Sequence, residues 1–185
     1  MILKNKQHVI FFIFIAFGLF IYYASYQIKK PFIIEKAAIW VPRFDYQNAD
    51  DIKKILKNIN EVGFTDVFFQ IRGNGTVFYP SKIEPWTHDL HNGDINSLGL
   101  DPGWNPLQLI LDEAAQYNID VHAYINVLPG WKGTSKPKSG IGQPWADHPD
   151  WFMVDANGNI MQPTTGWYTF LNPFSFKKAL AFSHL

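Results

Sequence analysis

No cysteine occurs among the 185 residues, which excludes disulfides, thiolate metal sites and a thiol nucleophile, and leaves the redox compartment open. Charge of one sign is equally absent. Sixteen Lys+Arg balance sixteen Asp+Glu, so the basic field that a nucleic-acid partner requires does not exist and no nucleic acid is expected. With only 17% of residues charged and 47% hydrophobic, the chain is not of the disordered class, and its length suits one ordinary domain with a sizeable core. What is abundant is aromatic: seven Trp, eight Tyr and sixteen Phe.

Eight of those aromatics lie in the first thirty residues, where Lys4 and Lys6 precede the apolar run VIFFIFIAFGLFIYYA and Lys29 and Lys30 follow it. The uncharged stretch from Gln7 to Ile28 matches the ~20 residues that a transmembrane helix needs, and Tyr22, Tyr23 and Tyr26 suit an interfacial belt. No A-x-A cleavage site follows, which favours an uncleaved signal anchor over a removed signal peptide. Positive charge flanks the run on both sides. The domain behind it is expected to face out of the cytoplasm, at the cell surface or in the periplasm. This divides the chain into an anchor over residues 1–34 and a domain over residues 35–185.

In that domain, AAIWVPRFDY predicts a strand from about Ala37 to Phe44. Asn48 with Asp51 three residues later predicts a helix start. Ile52, Ile55, Leu56, Ile59 and Val62 follow at helical spacing, and Gly63 supplies the stop. TDVFFQIR, Thr65 to Arg72, predicts a buried parallel strand because its centre is continuously apolar. Residues 73–103 read as a long loop rich in Gly, Pro, Asn and Asp. Asn105 and Pro106 open a second helix that ends near Asn118, and Ile119 to Val127 predicts a third strand. A second long loop follows, then a hairpin with Asn157–Gly158 at its two-residue turn. A short helix is expected from about Ser175.

Long loops after strands and short ones before them describe an α/β barrel seen from its working face. The expected fold is the first three βα units of a (β/α)8 TIM barrel behind an N-terminal transmembrane anchor. A complete barrel takes about 250 residues, so residues 35–185 read as the N-terminal part of a larger one. The alternative is a complete small three-strand α/β domain.

Barrel chemistry sits at the C-terminal ends of strands, which nominates Arg43, Asp45 and Tyr46 after the first strand. After the second come Gln70, Arg72, Asn74, Tyr79, Glu84 and Trp86. The third offers Asn126 and Trp131, with His122 and Tyr124 on the same alternating face as Asn126. Asp66 and Asp120 fall on the opposite rim. Flat rings with amides, guanidinium and carboxyl groups suit a neutral polyhydroxylated ligand, so a glycan is the expected partner. Trp86 and Trp131 either stack on that ligand or pack the loops, and Trp104 and Trp151 are packing candidates. Arg72 either binds substrate or pairs with a carboxylate such as Asp45. His88, Asp89, His91 and Asp94 resemble a metal cluster but read as a solvated turn, so no metal site and no cofactor are expected.

Six runs carry a resemblance: WVPRFDY, DVFFQIRGNGTVFYPSKIEPW, DPGWNPL, HAYINVLPGW, HPDWFMVDANGN and WYTFLNP. Taken in order, they resemble the glycosyl hydrolase-like 10 domain family, bacterial envelope proteins with a barrel catalytic domain. The resemblance covers residues 36–173 and implies glycoside hydrolysis of a cell-envelope glycan or polysaccharide, peptidoglycan strands included. Position at the strand tips and in the loops after them nominates Arg43, Arg72, Asn74, Trp86, His122, Asn126 and Trp131 as substrate-binding residues. Glycoside hydrolysis needs two carboxyl groups across the scissile bond. Only Asp45 and Glu84 lie near the working rim, each with an alternative as an arginine partner or loop charge. The catalytic pair is therefore expected outside this sequence, leaving the chain inactive by itself. The competing readings are a non-catalytic glycan-binding module and a metal-dependent barrel hydrolase.

Overall fold

The computed structural model describes residues 13–25 and 36–175. The chain divides into two units, Met1–Glu35 and Lys36–Leu185. In the first, residues 13–25 are helical with large apolar side chains exposed. Among the described residues no helix is long and apolar enough to cross a membrane. Both ends of the anchor expected from Gln7 to Ile28 lie outside the described residues, as does the short helix expected beyond Ser175.

The second unit opens with strand β1, Ala38–Val41, helix α1, Ala49–Val62, and strand β2, Asp66–Arg72. Helix α2, Pro106–Gln116, and strand β3, Asp120–Ile125, complete a parallel sheet in the order β1-β2-β3. β1 stops sooner than its composition suggests because Pro42 lacks an amide hydrogen and the chain turns there, Asp45 N donating to Pro42 O at 3.1 Å. α1 begins at a reciprocal capping box. Asn48 Oδ1 accepts from Asp51 N at 3.1 Å, and Asp51 Oδ2 accepts from Asn48 N at 3.2 Å. It ends at Gly63, whose φ of 89° is a left-handed conformation that a side chain would oppose. α2 starts from the Asn105 cap with Pro106 at its first turn.

Strand alternation decides what each face of the sheet meets. Val67 and Phe69 of β2 turn toward the helices and pack with Ile52, Leu56, Ile59 and Ile110 in the main core. The even-numbered residues point the other way and form an aromatic layer. Trp40 stacks on Phe68 at 4.5 Å, Tyr124 meets Trp40 edge-on at 4.8 Å, and Phe68 stacks on His122 at 4.9 Å. Trp40 is 59% exposed, so among the described residues this face is open.

A second core forms from the loops. Strand β4, Pro129–Lys132, pairs antiparallel with strand β5, Tyr168–Phe170. Beneath them Leu98, Trp131, Trp145, Phe152 and Leu171 pack together. The sequence reading treats 128–144 as plain loop, and β4 corrects it. The hairpin after it has a three-residue loop rather than two. Asp155 N donates to Asn159 O, Gly158 N donates to Asp155 O, and Gly158 takes a φ of 84°. That is a turn closed by a glycine bulge. Residues 73–103 are also more ordered than expected, with two 3-10 turns, His88–His91 and Ile95–Ser97, each started by a side-chain cap from Thr87 or Asp94.

Candidate functional site

The C-terminal ends of the three parallel strands meet at one side chain, Gln70. Its Oε1 accepts from Arg43 N at 3.1 Å and from the Tyr124 hydroxyl at 3.2 Å, and its Nε2 donates to Arg72 O at 3.1 Å. The Tyr46 hydroxyl donates to Gln70 O at 3.0 Å. One amide thus joins the tips of β1, β2 and β3. Burial, followed by the Asp89 carboxylate, drives the Tyr46 hydroxyl well above its usual pKa, and burial also raises Tyr124. Both phenols therefore remain neutral donors at ordinary pH.

Arg43 is 4% exposed. Its Nη2 donates to the Tyr168 hydroxyl at 2.9 Å, and its Nε lies 3.6 Å from Asp89 Oδ2, an ion-pair contact too long for a hydrogen bond. Nε and Nη1 have no hydrogen-bond partner. The Phe44 ring covers the guanidinium at 4.6 Å, a cation-π contact that offsets part of the burial cost. A Cβ at Gly73 would overlap Arg43 Nη1, so only glycine lets the strand tip accept this arginine. A buried charge with incomplete partners is costly for stability, and such positions concentrate at functional sites.

Arg72 is committed to its neighbours. It forks onto Glu84, with Nε to Oε2 and Nη2 to Oε1 both at 2.6 Å, while Nη1 donates to the backbone carbonyls of Asn126 and Val127. The arginine thereby ties the loop after β2 to the end of β3. The sequence leaves substrate or a carboxylate such as Asp45 as the partner of Arg72; the structure pairs it with a carboxylate, that of Glu84 and not Asp45.

Residues 35–178 match the family model described as Glycosyl hydrolase-like 10. The chain belongs to the glycosyl hydrolase-like 10 family. It is 33% identical over 117 residues to Glycosyl hydrolase DigH of Escherichia coli (strain K12), covering 58% of this chain and 26% of that protein. It is 26% identical over 168 residues to Glycosyl hydrolase YngK of Bacillus subtilis (strain 168), covering 84% of this chain and 32% of that protein. The chain thus matches about a quarter to a third of the length of these relatives. A crystal structure of a hypothetical protein from Ruminiclostridium thermocellum shares the fold, with a TM-score of 0.52 at 13% identity over 79% of this chain and 66% of that one.

Within this member of the glycosyl hydrolase-like 10 family, several residues nominated for substrate sit elsewhere. Trp131 is 2% exposed, its indole donates to Ser135 O at 2.8 Å, and it belongs to the second core. Its ring is closed to a ligand, which corrects the stacking expectation in favour of packing. Trp86 is half-buried against the main core. His122 turns toward the opposite rim, where its Nε2 lies 2.8 Å from Asp66 Oδ1. Thr65 and His122 hold the Asp66 carboxyl below its usual pKa, so His122 pairs away from the strand tips. Asn74 is buried, and its carbonyl accepts from the Gln143 amide at 3.1 Å. The Asn126 carbonyl is held by Arg72. Asp45 is exposed, and Glu84 has both oxygens engaged by Arg72.

Sequence reasoning did not single out Asp89, Tyr168 and Gln143 as site residues. Asp89 and Tyr168 reach Arg43 from residues far along the chain, and Tyr168 sits in the WYTFLNP run that carries part of the family resemblance. Gln143 is fully buried and bridges the loop after β2 to β4, its Nε2 donating to Asn74 O at 3.1 Å and Gly130 O at 2.7 Å. No local pattern marks it. Among the described residues no group of three or more His, Asp or Glu is placed to hold a metal ion.

Proposed function

We propose that residues 36–175 form part of the substrate-binding rim of a membrane-anchored glycoside hydrolase with a (β/α) barrel catalytic domain. In this reading the domain works outside the cytoplasm on a cell-envelope glycan such as peptidoglycan strands. The observation that carries the reading is the Gln70 junction, which gathers Arg43, Tyr46, Tyr124 and Arg72 at the C-terminal mouth of three consecutive parallel strands. Barrel enzymes work at that end. Family membership supports the reaction class, and the apolar run near residues 9–24 supports the anchor.

A glycosidase needs two carboxyl groups about 5–5.5 Å apart for retention or about 6.5–9.5 Å apart for inversion. Glu84 is engaged by Arg72, and Asp89 by Arg43 and Thr87, so in this reading Asp45 is the one unengaged carboxylate at the mouth and residues 36–175 do not assemble the acid–base pair. The chain then binds glycan without cutting it. Titrating residues 1–185 in detergent with peptidoglycan-derived glycan strands should show saturable binding with no release of new reducing ends. Hydrolysis abolished by Asp45→Asn would overturn the placement of the pair, and an absence of binding would sink the glycan reading. Membrane fractionation of the chain with and without residues 1–34 tests the anchor, whose deletion should move the protein to the soluble fraction.

A further inference from the structure

We infer that Lys132, poised over the rings of Phe44 and Tyr168, forms a subsite that selects glycans carrying a carboxylate substituent. The inference rests on the glycan-binding reading of the rim and names the substrate chemistry that this part of it takes.

Pairing of β4 with β5 sets Lys132 directly opposite Tyr168. The ammonium lies 5.5 Å from the Tyr168 ring centroid and 5.8 Å from that of Phe44. Arg43 uses the same two rings, at 6.0 Å and 4.6 Å. Two aromatic side chains therefore hold two cations, one buried and one at the surface. Like charges brought together on shared rings raise the local potential. Only one carboxylate answers them. Asp89 lies 3.6 Å from Arg43 Nε, and none of the ion pairs among the described residues includes Lys132. Asp45, two residues beyond Arg43, pairs with neither cation. Among the described residues Lys132 therefore stands without a carboxylate partner.

The surroundings indicate what that charge is for. Phe44 is 63% exposed, presenting a flat apolar ring of the kind that packs against the face of a sugar. The Lys132 ammonium stands beside it with its donors directed at no acceptor recorded among the described residues. A pyranose lying on Phe44 with an acidic substituent toward Lys132 would satisfy both. Charge arithmetic favours a monoanion. A carboxylate matches the one unpaired ammonium, whereas a phosphate dianion would bring a second negative charge with no unpaired ammonium to meet it.

The carboxylate could belong to the sugar ring, as in a hexuronic acid, or hang from it on an ether. Both are tested by titrating the full chain with neutral hexose oligosaccharides, hexuronic-acid oligosaccharides and carboxymethyl-ether oligosaccharides, each acidic set beside its carboxyl-reduced counterpart. At least one acidic set should bind about tenfold more tightly than its reduced form at low salt, the size expected for one charge-assisted hydrogen bond. That ratio should shrink as salt is raised. Lys132→Met, which keeps the aliphatic stem, and Lys132→Gln should each bring the ratio close to one, with thermal melting verifying that they fold. Equal binding of acidic and reduced forms by the unmodified chain overturns the inference while leaving the glycan reading intact. A preference that survives both substitutions overturns the role of Lys132. Failure of every oligosaccharide to bind overturns the glycan reading and this inference together.

Discussion

The core beneath the parallel sheet and the core beneath β4 and β5 use the same kinds of side chains but are assembled by different means. In the first, Ile52, Leu56 and Ile59 recur along one helix face, and Val67 and Phe69 recur along one strand face, so short segments already carry the apolar stripe that burial uses. In the second, Leu98, Trp131, Trp145, Phe152 and Leu171 come from separate short segments, and polar pins hold those segments in place. Gln143 bridges Asn74 O and Gly130 O, and Asp147 accepts from Gly140 N at 2.6 Å and Gly142 N at 2.8 Å. A Cβ on Gly130 would overlap the Phe152 ring, so that packing depends on a missing side chain. A periodic core tolerates loss of one polar contact, whereas a loop-built core depends on them.

The contrast is broken most severely by Phe69→Ala. It empties a fully buried site against α1 and should cost about 3–5 kcal/mol, abolishing the cooperative melt followed by far-UV circular dichroism. Next comes Gln143→Leu, close in volume but unable to satisfy two buried carbonyls. A loss of about 1–3 kcal/mol is expected, with protease cleavage appearing first within 129–171 while helical signal persists. Cleavage first within α1 or α2 would show that the two cores are not separable. Asn48→Ala removes one half of the capping box and should cost about 1 kcal/mol in the melt, with no change in protease pattern.

The smallest effect concerns His88. Burial holds its pKa below the usual imidazole value, and the Arg43 charge also lowers it while Asp89 opposes both. The unfolded chain therefore takes up the proton first as pH falls through about 6.5. His88 costs nothing above that pH and destabilises the fold progressively below it. His88→Gln should lose less stability between about pH 7 and 5 than the unmodified chain, in denaturant titrations at each pH. A steeper loss in the variant would contradict the buried neutral imidazole.

The legible parts of the fold were those whose signal is local. Asn48 with Asp51, Gly63 with its positive φ, Asn105 with Pro106, and the apolar centre of β2 each state their conformation within a few residues, and the βαβαβ order follows from them. Arg43, Gln70, Tyr46 and Tyr124, nominated by position along their strands, meet one another at the strand tips. The sequence leaves Trp131 open because a tryptophan in a Gly/Pro-rich loop looks the same on paper whether it meets a ligand or a second core. His122 shares a strand face with Asn126, yet it pairs down the sheet with Asp66 because the β2–β3 register sets Phe68 opposite it and Asp66 two residues below.

The amino-acid order alone determined the three consecutive parallel strands and the two helices between them, because propensity, capping and apolar periodicity act over a few neighbouring residues. Only the tertiary structure decided that Glu84 is Arg72's partner, that Tyr168 and Asp89 converge on Arg43, and that Lys132 is left with charge to spare beside an exposed ring. Those contacts join residues far apart in the chain, and their geometry arises only when burial and backbone hydrogen bonding bring the loops to one end of the sheet.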